Sequence, residues 1–161
     1  MTLRAVRIDE ALWSAAPAAR RKEWSTLIAD LLRDENPWPE RVGCTLVIGF
    51  DDEAVAFRFA SREWPFLEEE TEAAIVPRGD VRPIVDEYIG VIDRMGEDDI
   101  HPMRMEALDM AKRVVHDGGA RRLGELLPEL TPSLAARRRL FSLLVSVLED
   151  TSHRPWAHRH A

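Results

Sequence analysis

Two runs rich in apolar residues, Thr45–Phe50 and Ala54–Ala60, are separated only by Asp51, Asp52 and Glu53. A parallel crossover needs a dozen or more residues, so these runs must pair antiparallel as a hairpin. Val55, Phe57 and Phe59 fall at alternate positions of the second run and share one face, which needs a covering layer. Aspartate suits the turn because its carboxylate bonds neighbouring backbone N–H groups, and that role accounts for the acidic triplet without a metal ion. Leu3–Asp9 alternates too, with Val6 and Ile8 opposite Arg7, as a short half-buried strand would. A further strand is expected over Thr71–Val76, despite the low strand propensity of Ala73 and Ala74, after a loop over Ser61–Glu70.

The covering layer is helical. From Pro17 onward, Trp24, Leu27, Ile28, Leu31 and Leu32 form one apolar stripe, stopped by Asn36, Pro37 and Pro39. Asp80 is expected to cap a second helix, whose core side is Val81, Ile84, Val85, Tyr88, Ile92 and Met95. Pro102 opens a third, with Ala107, Met110, Ala111, Val114 and Val115 as its expected apolar side and Gly118 and Gly119 as its stop. A short helix over Ala120–Leu127 follows. Thr131 and Pro132 then start a last helix that is basic at Arg137–Arg139 and apolar almost all round in its second half. The expected architecture is α+β: a small antiparallel sheet of three to four strands packed against four to five helices, with a helical C-terminal half. Residues 1–150 read as a single domain, and 151–161, with histidines 153, 158 and 160 but no apolar period, as a flexible tail.

Composition narrows the function. Acidic residues outnumber basic ones, 29 to 22, and the formal charge of -7 disfavours nucleic acid and anionic lipid as partners. The single cysteine, Cys44, rules out an intrachain disulfide and a cysteine zinc cage and fits a reducing cytoplasm; it reads as a small hydrophobe beside a strand. The early residues Arg4, Arg7, Asp9 and Glu10 interrupt any export signal. The longest strongly apolar run, Leu140–Leu148, is about half of the roughly 20 residues a bilayer span requires. A cytoplasmic protein is expected.

Reactive groups cluster in one place. Glu106, Asp109, Arg113 and His116 recur at steps of three and four residues along one helical face. His116 beside a carboxylate or guanidinium can serve as acid, base or ligand anchor; the same residues also describe a solvated face in which Asp109 pairs with Arg113. Arg137, Arg138 and Arg139, with Arg121 and Arg122 upstream, can fork onto a phosphate or carboxylate. Adjacent arginines on a helix diverge, however, so at most two can serve one anion, and pairing with Glu106, Asp109, Glu125 or Glu129 is the structural alternative. Ser142 and Ser146 sit in the apolar helix and read as packing residues. Trp38, Trp64, Phe66 and the last helix offer apolar area for a homodimer or partner contact, or else complete the core. No phosphate loop, nucleophile elbow or dinucleotide fingerprint occurs.

The run Pro102, Glu106, Ala107, Asp109, Met110, Arg113, His116 and Gly119, with Arg138, Arg139, Leu140 and Phe141, resembles the uncharacterised protein family UPF0262 of small alphaproteobacterial proteins. Asp30, Leu31, Leu32, Asn36 and the Tyr88 helix are similar too. The resemblance supports fold and compartment and implies no activity. The loop at Glu63–Glu70 and the histidine-bearing tail depart from the pattern. The function expected is a non-catalytic binding or regulatory module, with Glu106, Asp109, Arg113, His116, Arg138 and Arg139 facing an unknown protein partner or small anion, without metal or cofactor. The alternative is a small enzyme acting on an anionic substrate through His116. An enzyme requires Asp109, Arg113, His116 and Arg138 to converge on one concave pocket, whereas a module leaves them flat on the surface or locked in pairs.

Overall fold

A computed structural model of the chain describes residues 3–33, 43–63, 67–128 and 133–158. Its elements are β1 (Ala5–Ile8), α1 (Glu10–Ala15), α2 (Ala18–Leu32), β2 (Thr45–Phe50), β3 (Ala54–Glu63), β4 (Leu67–Pro77), α3 (Arg78–Met95), α4 (Pro102–Leu126) and α5 (Leu134–Leu148). The sheet runs β1-β2-β3-β4. The α+β architecture is as expected, with one refinement: β1 pairs with β2 parallel, so the sheet is mixed. The long connection through α1 and α2 makes that reversal of direction possible.

The β2–β3 hairpin follows its sequence signal. Ile48 stands opposite Phe57 and Leu46 opposite Phe59, while Asp51 Oδ1 accepts from the backbone N–H groups of Glu53 and Ala54 at 2.8 and 2.9 Å. The β3–β4 region corrects the expected loop over Ser61–Glu70. Both strands extend, with Arg62 in register with Glu68 and Arg58 with Glu72, and only residues 64–66 between them lie outside the described structure.

Val6, Ile8, Leu46, Ile48, Val55, Phe57 and Phe59 make the inner face of the sheet and join one core with Trp24, Leu27 and Leu31 of α2, Val81, Val85, Tyr88 and Ile92 of α3, and Leu140, Phe141, Leu144 and Val145 of α5. Cys44 packs partly buried against the same core. α3 begins at Arg78, so Asp80 lies in its first turn, where a carboxylate complements the helix dipole, rather than at the cap. Pro83 therefore falls inside the helix. The expected stops at Asn36, Pro37 and Pro39, the cap at Thr131 and Pro132, and the apolar contacts of Trp38, Trp64 and Phe66 lie outside the described residues; Ser133 caps α5 through Ala136 N at 3.1 Å.

Two expectations about α4 are corrected. The helix does not stop at Gly118 and Gly119 but runs unbroken to Leu126. Its buried side is Leu108, Lys112, His116, Gly119, Ala120 and Leu123, whereas Met110 and Val114, read as core, are 63% and 71% exposed. A Cβ on Gly119 would stand 2.4 Å from the Phe141 ring and one on Gly124 2.1 Å from the Arg137 guanidinium. These glycines are there for the close approach of α5, not for a helix end.

Residues 151–158, expected as a tail, fold back across the helices. Ala157 and Thr151 are buried, and the Tyr88 phenol donates to the Ala157 carbonyl. Lys112 Nζ donates to the Trp156 carbonyl at 2.5 Å, and Arg154 Nε reaches Asp93 at 2.9 Å.

Candidate functional site

The polar residues of α4 and α5 separate into three arrangements. The first is interior. His116 is only 7% exposed, and its Nε2 lies 2.8 Å from Ser142 Oγ, whose hydroxyl also reaches the Arg138 carbonyl at 3.3 Å. The imidazole is enclosed by Tyr88 and Phe141, with ring centroids 5.6 and 5.4 Å away, and those two rings are edge-on to each other at 5.7 Å. This is the geometry of a satisfied core histidine joining two helices. Burial also raises the Tyr88 phenol far above its usual range, so it remains a neutral donor to Ala157.

The second is a surface clamp. Arg138 forks onto Asp117, Nε to Oδ1 at 2.7 Å and Nη2 to Oδ2 at 3.0 Å. The hydrogen bond from Arg138 holds the Asp117 carboxyl below its usual range. Of the carboxylates expected as partners, Glu106, Asp109, Glu125 and Glu129, none is the one that Arg138 forks onto; it meets Asp117, which immediately follows His116 on the same helix. Arg139 points elsewhere, into a cleft of about 170 Å³ shared with Leu27, Asp30, Arg33 and Ser142. Arg137 lies over Gly124, so the three arginines diverge as helical geometry requires.

The third is the outer face of α4. Asp109 and Arg113 pair at 2.8 Å across one turn, and Glu106 is exposed a turn earlier. Beside them Met103, Met110 and Val114 are 74%, 63% and 71% exposed, and Ala107 completes the same stripe. The only other exposed large hydrophobic side chain among the described residues is Ile75.

The six residues of the sequence reading therefore do not converge. Glu106 and Arg113 are exposed, Asp109 is half-buried against Arg113, His116 faces inward, Arg138 is clamped to Asp117, and Arg139 lines a separate cleft. Sequence reasoning missed Lys112, Ser142 and Asp117 as partners, and the Met103–Val114 stripe as surface. Burial depresses the Lys112 ammonium below its usual range, and the Trp156 carbonyl accepts from it. Among the described residues no group of three or more His, Cys, Asp or Glu side chains could hold a metal ion, and no helix is long and apolar enough to cross a membrane.

Comparison with known proteins adds one match. A family model described as Uncharacterised protein family (UPF0262) matches residues 1–150. No curated protein and no solved structure matches.

Proposed function

The chain belongs to the Uncharacterised protein family (UPF0262), and on that premise we propose that it is a cytoplasmic, non-catalytic binding module that presents the outer face of α4 to a protein partner. The observation that carries this reading is the exposed stripe Met103, Ala107, Met110 and Val114, rimmed by Glu106 and Arg113. Apolar side chains aligned at helical spacing and bordered by charges make a docking face, whereas scattered ones would need no explanation. Asp109 holds Arg113 in place on the rim, and His116, Ser142, Asp117 and Arg138 fix α4 against α5 from behind. The net charge of -7 supports a protein rather than a nucleic acid or membrane surface as partner.

The enzymatic alternative required a shared pocket. Its support falls away because His116 is packed between two aromatic rings, while Asp109 and Arg113 pair with each other across one turn of the same helix. A photo-crosslinking residue placed at Val114 in living cells tests the proposal. Covalent adducts to a protein are expected from position 114 and not from the exposed control position Glu10, with the chain recovered in the cytoplasmic fraction. A chain that yields no adduct from 114 would overturn the reading.

A further inference from the structure

We infer that the occupant of this face is a second copy of the chain, docked with its α4 antiparallel to the first; the inference rests on the reading of the face as a binding surface. Met103, Ala107, Met110 and Val114 follow one another at steps of four, three and four residues, which is the seam of a two-helix coiled coil. The seam covers roughly 17 Å of helix at about 1.5 Å per residue. Its outer side chains are exposed, whereas the core side of the same helix is filled by Leu108, Lys112, His116 and Ala120.

Charge chooses the partner and its direction. Glu106 and Arg113 immediately precede Ala107 and Val114, so they lie on one flank of the seam, seven residues apart. A two-fold axis across an antiparallel pair sets that flank against itself with the direction reversed. Glu106 of each copy then comes beside Arg113 of the other, forming two symmetric ion pairs from one pair of residues. Arg113 already meets Asp109 at 2.8 Å, and the five N–H donors of a guanidinium leave capacity for a second carboxylate.

A second pattern agrees. The exposed acidic connection Glu97, Asp98 and Asp99 lies just before the seam, and Arg121 and Arg122 lie beyond its other end. Antiparallel docking brings the acidic connection of each copy level with those arginines in the other. A parallel pair would set Glu106 and Arg113 against Ala111 and Gly118 and would crowd the two acidic connections together. An unrelated partner would have no need of this self-complementary arrangement.

Sedimentation equilibrium of the full chain tests the inference. A seam of four side chains per copy is small for a permanent interface, so a dimer with a dissociation constant on the order of micromolar is expected. Met110→Glu is expected to sediment as monomer throughout. Glu106→Arg or Arg113→Glu alone creates two like-charged contacts by symmetry and is expected to weaken the dimer roughly ten-fold or more, while the double reversal Glu106→Arg with Arg113→Glu restores it. All these positions are exposed, and circular dichroism confirms that each variant is folded. A wild-type chain that is monomeric at every concentration, or a dimer indifferent to the charge reversals, overturns the inference. If the chain is monomeric but position 114 crosslinks to a different protein in cells, the self-association fails and the binding face stands; if 114 also yields no adduct, both fail.

Discussion

Gly119 lies so close beneath Phe141 that a Cβ at this position would stand 2.4 Å from the ring. The absence of a side chain here lets α4 and α5 approach, and the approach brings His116 within 2.8 Å of Ser142 one turn away. The adjacent Gly118 has nothing within 4 Å of its Cβ position. Two neighbouring glycines that look equivalent in sequence thus have unlike environments.

Gly119→Ala should therefore destabilise the protein by ~1–3 kcal/mol, because the rigid ring and the helix behind it must move. Gly118→Ala should stabilise it by up to ~1 kcal/mol, since alanine is the better helix former and the site is open. Urea unfolding of the two variants checks the pair. Equal effects at the two positions would show that the α4–α5 approach does not depend on Gly119.

The His116–Ser142 bond predicts coupling between two residues 26 positions apart. His116→Ala should cost ~2–4 kcal/mol, from a cavity between Tyr88 and Phe141 and a hydroxyl that loses one partner. Ser142→Ala should cost ~0.5–1.5 kcal/mol, and the double variant should fall short of the sum by a comparable amount. A double-mutant cycle read by thermal and chemical unfolding measures this. Strict additivity would mean the pair contributes no stability.

The Asp117–Arg138 clamp should be worth much less, because its side chains are 34% and 43% exposed and solvent screens the attraction. Arg138→Ala is expected to cost under ~1 kcal/mol at moderate ionic strength, and the cost should shrink as salt is added. Unfolding midpoints across a salt series test the claim, and a large salt-independent loss would place Arg138 among the core supports instead.

The hairpin, the α2 and α3 stripes and the apolar half of α5 were legible in the sequence because each obeys a single periodicity with large hydrophobes on one side. α4 was not. It carries Met103, Met110 and Val114 on its outer side and Lys112, His116, Gly119 and Ala120 on its inner one, so hydrophobicity points the wrong way. Close packing selected small residues, and burial of Lys112 and His116 is offset by the Trp156 carbonyl and Ser142, partners distant in sequence. The docking of residues 151–158 was hidden for the same reason: it depends on backbone carbonyls of Trp156 and Ala157, which no side-chain pattern reveals. Among the site residues, sequence spacing located the Asp109–Arg113 pair and foretold the divergence of Arg137, Arg138 and Arg139; the inward turn of His116 needed the fold.

Glu23 makes the attachment of the C-terminal segment depend on pH. Its carboxylate accepts from the hydroxyls of Ser146 and Thr151 and lies 3.4 Å from His158 Nε2, tying α2 to α5 and to the residues beyond it. Burial disfavours the charge, but hydrogen bonds from His158, Ser146 and Thr151 outweigh it and hold the carboxyl below its usual range. A carboxyl depressed in the folded state contributes stability that is fully present above its unfolded value, near ~4.3. That stability is lost as pH falls through the lower folded value. Glu23→Gln should therefore cost ~1–3 kcal/mol at neutral pH, where hydrogen bonds to a charged acceptor are lost. As pH falls through that lower folded value the wild-type carboxyl protonates as well, and the two melting curves should converge. Melting temperatures of both proteins between neutral and acid pH measure the difference. Curves that stay parallel down to the lowest pH at which the protein folds would rule out Glu23 ionisation as the source of the attachment, leaving the burial of Ala157 and the carbonyl contacts of Tyr88 and Lys112 to hold the segment.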